Sequence, residues 1–295
     1  MPPAAPSGGY AHGVAQHLEA TSAADPAAGS PTLIYDVGLH VGTDTAYYLH
    51  RGYNVVAVEA NPLLAAEAEK RFADEIAEGR LKVVNVGIGE GEGEATFWVC
   101  DDWTAWSSFD KAVASRNGNR HHAETVRVMP LAQVFAEHGM PHYCKVDIEG
   151  HDKYCLDEMT AERRPEYLSV ELSDHPFVDR MAALGYDRFK FVHQLSFTPM
   201  TPGWEKVRAL APHPKLRAGL ERGRGLLRGT LHDKRWYFRI GSSGPLPFDV
   251  PGRWLTLDEA RAEREWITAQ FDSGRFTLLD SFDLHATTRD ALRAG

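Results

Sequence analysis

Cysteine is scarce in this chain. Its 295 residues carry three, Cys100, Cys144 and Cys155, and no C-x-x-C pair. An odd, sparse set excludes a disulfide framework and fits a reducing compartment. Without paired cysteines no structural zinc site is expected. Long hydrophobic runs are missing as well: nothing approaches 18 consecutive apolar residues, so no membrane span is expected. No basic patch followed by an apolar core opens the sequence, which gives the expectation of no signal peptide and a cytoplasmic protein. Basic charge is in deficit, with 32 Lys and Arg against 41 Asp and Glu and a formal charge of −9. That balance speaks against a general nucleic-acid binder, though not against a local basic patch.

What is present is globular in character, 43% hydrophobic and 25% charged, and long enough for one large α/β domain or two small ones. Near this length about 75% of the unfolded surface can be buried. Residues 1–30 are rich in Ala, Pro, Gly and Ser and read as a flexible leader, with a short helix around His12 to Ala20. From Thr32 the pattern changes. LIYDV (33–37), NVVAVEA (54–60), LKVVNVGI (81–88), HYCKVDIEG (142–150), EYLSVEL (166–172) and RFKFVHQLSF (188–197) read as strands. Helical stretches fall between them at 43–51, 63–78, 131–139, 153–159 and 177–184. This alternation predicts a parallel sheet with crossover helices. EATFWVC (94–100) and ETVRVMPL (124–131) interrupt it as an antiparallel pair around a polar loop, while 234–243 reads as a strand and 255–271 as a helix. The expected fold is α/β: a doubly wound, mostly parallel, Rossmann-like sheet with a β-hairpin insertion and a C-terminal appendage. Residues 31–200 form the core, and 201–295 the C-terminal part of the same domain, with lid and acceptor-pocket elements.

The first functional signal lies in PTLIYDVGLHVGTDTAYYL (31–49). An apolar strand ends in Asp36, and Gly38 and Gly42 follow. In an open parallel sheet ligands bind at the carboxyl ends of the strands. Neither glycine puts a Cβ between backbone and ligand, and Gly38 can take φ > 0. Glu59 closes the second strand, 23 residues after Asp36, where a carboxylate can accept two hydrogen bonds from a ribose diol. A dinucleotide site wants G-x-G-x-x-G. Here His40 stands at the second glycine position and would crowd a pyrophosphate. The D-x-G-x-x-x-G spacing suits S-adenosylmethionine, which has no phosphate. The competing reading is a tight strand–helix turn with no ligand. Gly87, near the end of the third strand, lies where an adenine edge would sit. Ser107 and Ser108 in the polar loop reach either the cofactor or the acceptor, or make local turns. Trp103 and Trp106 stack on a ring or anchor that loop.

Three segments together resemble the FkbM-type methyltransferases: LIYDVGLHVGTDT (33–45), VVAVEANP (55–62) and YCKVDIEGHD (143–152). SSF (107–109) and the hairpin around ATFWV match too, so the resemblance runs from about residue 31 to 197. It implies a class I methyltransferase fold with S-adenosylmethionine as cofactor. It also implies methyl transfer, usually to a hydroxyl on a small natural product, sugar or lipid. The resemblance carries over to Asp36, Gly38, Gly42, Glu59, Asn61, Asp147 and Glu149, with Thr45 in the first segment counted among the cofactor contacts. The family tends to carry Ala-Asn where this chain has Leu39 and His40, so His40 is expected to meet the methionine end of the cofactor differently.

Methyl transfer to oxygen is an in-line displacement that needs alignment, and an alcohol needs help to lose its proton. Asp147, Glu149 and His151 alternate through the exit turn of the fourth strand and are the catalytic candidates. His151 is the preferred base because its ordinary pKa of ~6.5 suits neutral pH. Each has a structural alternative: Asp147 as a helix cap, Glu149 paired with Lys145 or an arginine, His151 facing solvent. A Mg²⁺ ion held by Asp147 and Glu171, with Asp174 or His175, is the rival mechanism. No metal site is part of the main reading. Between Lys206 and Arg235 nine basic residues face two acidic ones. This segment reads as a solvated helix face, as a lid for an anionic acceptor, or as a nucleic-acid contact; weak aromatic interleaving counts against the last. Residues 236–254 are aromatic and Pro-rich, suited to walling an acceptor pocket. The expected partner is a small-molecule acceptor, an anionic one included. An RNA methyltransferase and a non-catalytic cofactor-binding module are the alternatives.

Overall fold

The computed structural model describes residues 33–294 apart from 201, 202, 212, 278 and 279; the leader at 1–30 lies outside the described residues. The chain opens with β1 (Leu33–Val37), α1 (Thr43–His50), β2 (Asn54–Val58), α2 (Pro62–Arg71), α3 (Ala73–Ala77) and β3 (Leu81–Val84). An insertion follows: β4 (Gly87–Ile88), β5 (Gly93–Cys100), α4 (Lys111–Ala114) and β6 (His121–Met129). Alternation resumes with α5 (Leu131–His138), β7 (Tyr143–Val146), α6 (Asp152–Asp157), β8 (Tyr167–Glu171), α7 (Phe177–Ala183) and β9 (Arg188–His193). The chain continues through α8 (Trp204–Ala209), α9 (Pro214–Arg228), β10 (His232–Asp233) and β11 (Trp236–Tyr237). It ends with α10 (Leu257–Asp272), β12 (Phe282–Thr287) and α11 (Ala291–Ala294).

Seven strands form the main sheet in the order β3-β2-β1-β7-β8-β12-β9. β1 pairs in parallel with β2 on one side and β7 on the other, so the strand order reverses there. Crevices open at such a reversal, outside the carboxyl ends of the strands. The central strands are apolar nearly throughout because helices cover both faces: four of the five residues of β1 and of β2 are buried, and all four of β7. The described residues belong to one compact unit. Among them no helix is long and apolar enough to cross a membrane.

The structure departs from the sequence reading at several elements. The helix expected over 63–78 is two helices, broken at Phe72 (φ −108°, ψ 28°), whose buried ring packs where a Cβ on Gly42 would stand, 2.7 Å away. The strand expected over 81–88 divides. β3 ends at Val84, while Gly87–Ile88 leaves the main sheet to pair with β6 in a separate three-stranded sheet. The strand expected at 234–243 is only the two-residue β11. A seventh strand went unread: β12 enters between β8 and β9, antiparallel to both. The C-terminal part therefore completes the central sheet.

The basic segment is not a solvated face as a whole. Arg208 is buried between Glu221 (Nε to Oε1, 2.8 Å) and Asp280. His193 at the end of β9 meets Asp280 at 2.9 Å, and Trp204 Nε1 donates to Glu221 at 2.7 Å. Arg224 is buried beside Glu221. Ions taken out of water are retained only when paired, so these arginines serve to seat α8 and α9 on the sheet edge.

Candidate functional site

An open cleft of about 540 Å³, solvent space included, lies over the carboxyl ends of β1, β2 and β7. Its floor begins at Gly38, which has φ +90°; a Cβ there would stand 1.9 Å from the carbonyl oxygen of Asp147. The glycine is thus required by the close crossing of β1 and β7. Gly38 N donates to Val58 O at 2.9 Å. The next turn places His40 at φ +50°, with its N–H on Glu59 Oε2 at 2.7 Å. The other carboxylate oxygen of Glu59 accepts from Asn61 N at 2.8 Å. Each oxygen keeps a lone pair, so a diol can still be gripped. Burial raises the Glu59 pKa, and the two backbone donors oppose that rise. The wall beside Glu59 is an apolar slot of Val58, Leu64, Val86, Ile88, Phe97 and Phe109. Such a slot with a carboxylate at one edge fits a nucleoside: flat apolar base, hydroxylated sugar.

Beneath the turn lies a charged layer that the sequence reading did not assemble. Lys145 Nζ is buried and reaches Asp36 at 3.1 Å, Asp44 at 3.6 Å and Asp147 at 3.9 Å. Asp36 is fully buried, its second oxygen accepting from Thr45 Oγ1 at 2.6 Å. Desolvation raises Asp36 and Asp147, while Lys145 lowers both. Asp44 accepts from Ser242 Oγ at 2.6 Å and from Ser243 N at 3.1 Å, tying α1 to the cover formed by the C-terminal part.

Asp147 and Glu149 also line the cleft. Glu149 has φ +50° and Gly150 φ +97°, which turns the chain sharply after β7. Non-glycine residues at positive φ are uncommon and cluster at functional sites. Glu149 pairs with Arg116 at 3.1 Å rather than with Lys145, and the Arg116 guanidinium lies 3.9 Å over the Trp106 ring. Burial and the nearby Asp147 raise the Glu149 pKa to about 7, against the pull of Arg116.

Of the residues singled out in the sequence, Gly38, His40, Glu59, Gly87, Ser107, Asp147 and Glu149 line the cleft. Asp36, Gly42, Thr45, Asn61, Ser108 and His151 do not. Asp36 and Thr45 brace the turn from below. Gly42 caps α1 against Phe72, and Asn61 caps α2 by accepting from Leu63 N at 3.0 Å. Ser108 Oγ donates to Glu149 O at 2.8 Å and so holds the turn after β7. The His151 ring stacks on Phe109 (4.7 Å, 26°) with Tyr154 on its edge, and burial lowers its pKa. That places it behind the cleft wall, not in it. Glu171 lies opposite Asp283 across β8 and β12. Among the described residues no group of three or more His, Cys, Asp or Glu side chains is arranged to hold a metal ion. The residues sequence reasoning missed are the slot and its lid, notably Phe97, Phe109 and Thr104, whose Oγ1 is 2.8 Å from His40 Nε2. Their signal was the hairpin itself: an insertion with apolar residues on one face needs something to cover.

No curated protein matches the chain. Among solved structures it is similar to a precorrin-6y C5,15-methyltransferase from Geobacter metallireducens, at 10% identity and a TM-score of 0.34, over 56% of this chain and 68% of that one. It is also similar to a 1,6-didemethyltoxoflavin-N1-methyltransferase from Burkholderia thailandensis with bound S-adenosylhomocysteine, at 15% identity and a TM-score of 0.30, over 55% and 64%. The model of the methyltransferase FkbM domain matches residues 36–196, from the aspartate under the glycine turn to the end of the sixth expected strand. The chain therefore belongs to the FkbM methyltransferase family and is an S-adenosylmethionine-dependent methyltransferase.

Proposed function

We propose that this enzyme methylates a hydroxyl oxygen of a small-molecule acceptor, with Glu149 as the general base. The observation that carries the reading is the position and state of Glu149: it lines the cleft beside Asp147, and its pKa is raised to about 7. A base poised near the working pH is what removal of an alcohol proton requires.

The lining fits the cofactor. Glu59 would take the ribose hydroxyls, the apolar slot the adenine, and the β1 turn with His40 the methionine end. Bound there, S-adenosylmethionine supplies a methyl group already activated on a sulfonium. The chain's part is to hold the acceptor oxygen in line and to receive its proton on the Glu149 carboxylate. Asp147, 31% exposed at its side chain and 3.9 Å from Lys145, orients the acceptor. His40 is held well below its ordinary pKa, at about 4, by burial and Lys145, so it is a neutral hydrogen-bonding group at neutral pH. The carboxylates at this end favour a neutral or cationic acceptor over an anionic one.

The test is a product assay with a panel of alcohols, phenols and amines, the methylated atom being read by NMR. O-methyl products from wild type, with turnover in Glu149→Gln reduced about 10²- to 10⁴-fold while S-adenosylhomocysteine affinity stays constant, support the reading. Transfer to amines alone would overturn it.

A further inference from the structure

Helix α9 is built inside out. Its inward face carries Glu221 and Arg224, both buried, and Gly225, whose Cβ would stand 2.7 Å from Ser196 O. Its outward face carries Leu216 (52% exposed), Leu226 (56%) and Leu227 (92%), with Gly219 and Gly223 facing open space. An ordinary surface helix shows the opposite pattern. The flanking segments also carry exposed apolar side chains: Val207 on α8, Leu210 just after it and Ile240 after β11 are 45%, 83% and 70% exposed. Of twelve large hydrophobic side chains exposed among the described residues, seven fall between 207 and 240. Scattered single leucines need no explanation, but a cluster of this kind marks an interaction site.

Along this stretch of chain the exposed charge is basic, although Asp233 and Asp249 line a pocket together with Arg228. Lys206, Lys215, Arg228, Arg235 and Arg239 are exposed. The carboxylates of the same stretch are turned away: Glu205 and Glu221 are buried, and Asp233 pairs with Arg51. These cations stand beside exposed leucines on a chain whose formal charge is −9. We propose that α8 and α9 dock on an anionic lipid bilayer, with the leucines entering the headgroup–acyl boundary and the cations meeting lipid phosphates. A second copy of the chain is a poor occupant, because a two-fold contact would set this cationic rim against itself. A nucleic acid would leave the leucines unused, since its bases need aromatic platforms. The inference is independent of which acceptor the cleft takes.

The experiment is co-sedimentation of the full chain with phosphatidylcholine vesicles, with and without phosphatidylglycerol, at low and high salt. Binding only to the anionic vesicles, weakened by salt, is expected. Leu227→Glu and, at the end of α8, Leu210→Glu should each lower the partition coefficient about tenfold with the melting temperature unchanged, since both side chains are exposed. Lys215→Glu with Arg228→Glu should remove the preference for phosphatidylglycerol. Absence of binding, or binding indifferent to the leucine variants, overturns the proposal. So does light scattering that shows a dimer dissociated by Leu227→Glu, which would assign the face to a second copy.

Discussion

His40 and Glu149, both lining the cleft, sit at φ +50°, a conformation that costs L-residues on the order of 1 kcal/mol or more. The strain at Glu149 delivers a carboxylate to the cleft and leaves it partly desolvated. Its raised pKa of about 7 makes a prediction about rate. A base works deprotonated, so kcat should rise with pH through about 7 and then level off, and Glu149→Gln should erase that limb; a pH profile under saturating cofactor measures it. Glu59 makes a binding prediction. Its carboxylate holds two backbone N–H groups and lines the cleft beside the apolar slot. Glu59→Ala should weaken S-adenosylhomocysteine binding roughly 10²-fold by calorimetry, the loss of two charge-assisted hydrogen bonds, whereas a merely structural Glu59 would change melting temperature and leave affinity intact in the folded fraction.

At the scale of elements, the strand–turn–helix units were legible because each local signal agreed with the fold. The β1 and β2 runs and the hairpin β5–β6 lie close to where their residues put them. The misreadings share one cause, a distant partner. The break between α2 and α3 exists because Phe72 fills the space beside Gly42. Gly42→Ala should therefore cost about 1–3 kcal/mol by denaturant melts, and Phe72→Leu should recover part of that cost in a double-mutant cycle; additive losses would show that the two do not touch. β12 escaped because FDLHAT mixes apolar and ionisable residues as a solvated strand would, yet all six residues are buried.

Across the whole molecule, that strand closes a buried polar layer on one face of the sheet. His285 is fully buried, neither ring nitrogen has a hydrogen-bond partner, and it lies opposite Lys190. Burial, with Lys190 adding to it, drops its pKa to about 3. The unfolded chain binds that proton near the ordinary value of ~6.5, so between these limits the unfolded state holds more protons and stability falls as pH falls. His285→Leu should flatten the acid limb of the melting curve between pH ~6.5 and 3, with little change at pH 8. An unaltered limb would mean that other groups govern acid unfolding.

The strand–helix alternation up to β9 and the cofactor class could be read from sequence, as could the presence of Glu59, Asp147 and Glu149 at strand ends that line the cleft, because each rests on contacts within one strand–turn–helix unit. Three things could not. Asp36 and Thr45 became supports under Lys145 rather than ligand contacts. His151 went behind Phe109. The arginines of α8 and α9 turned inward and their leucines outward. Each of these was decided by which remote side chain occupied the neighbouring space, and burial of a charge or a ring is settled only when all its neighbours are in place.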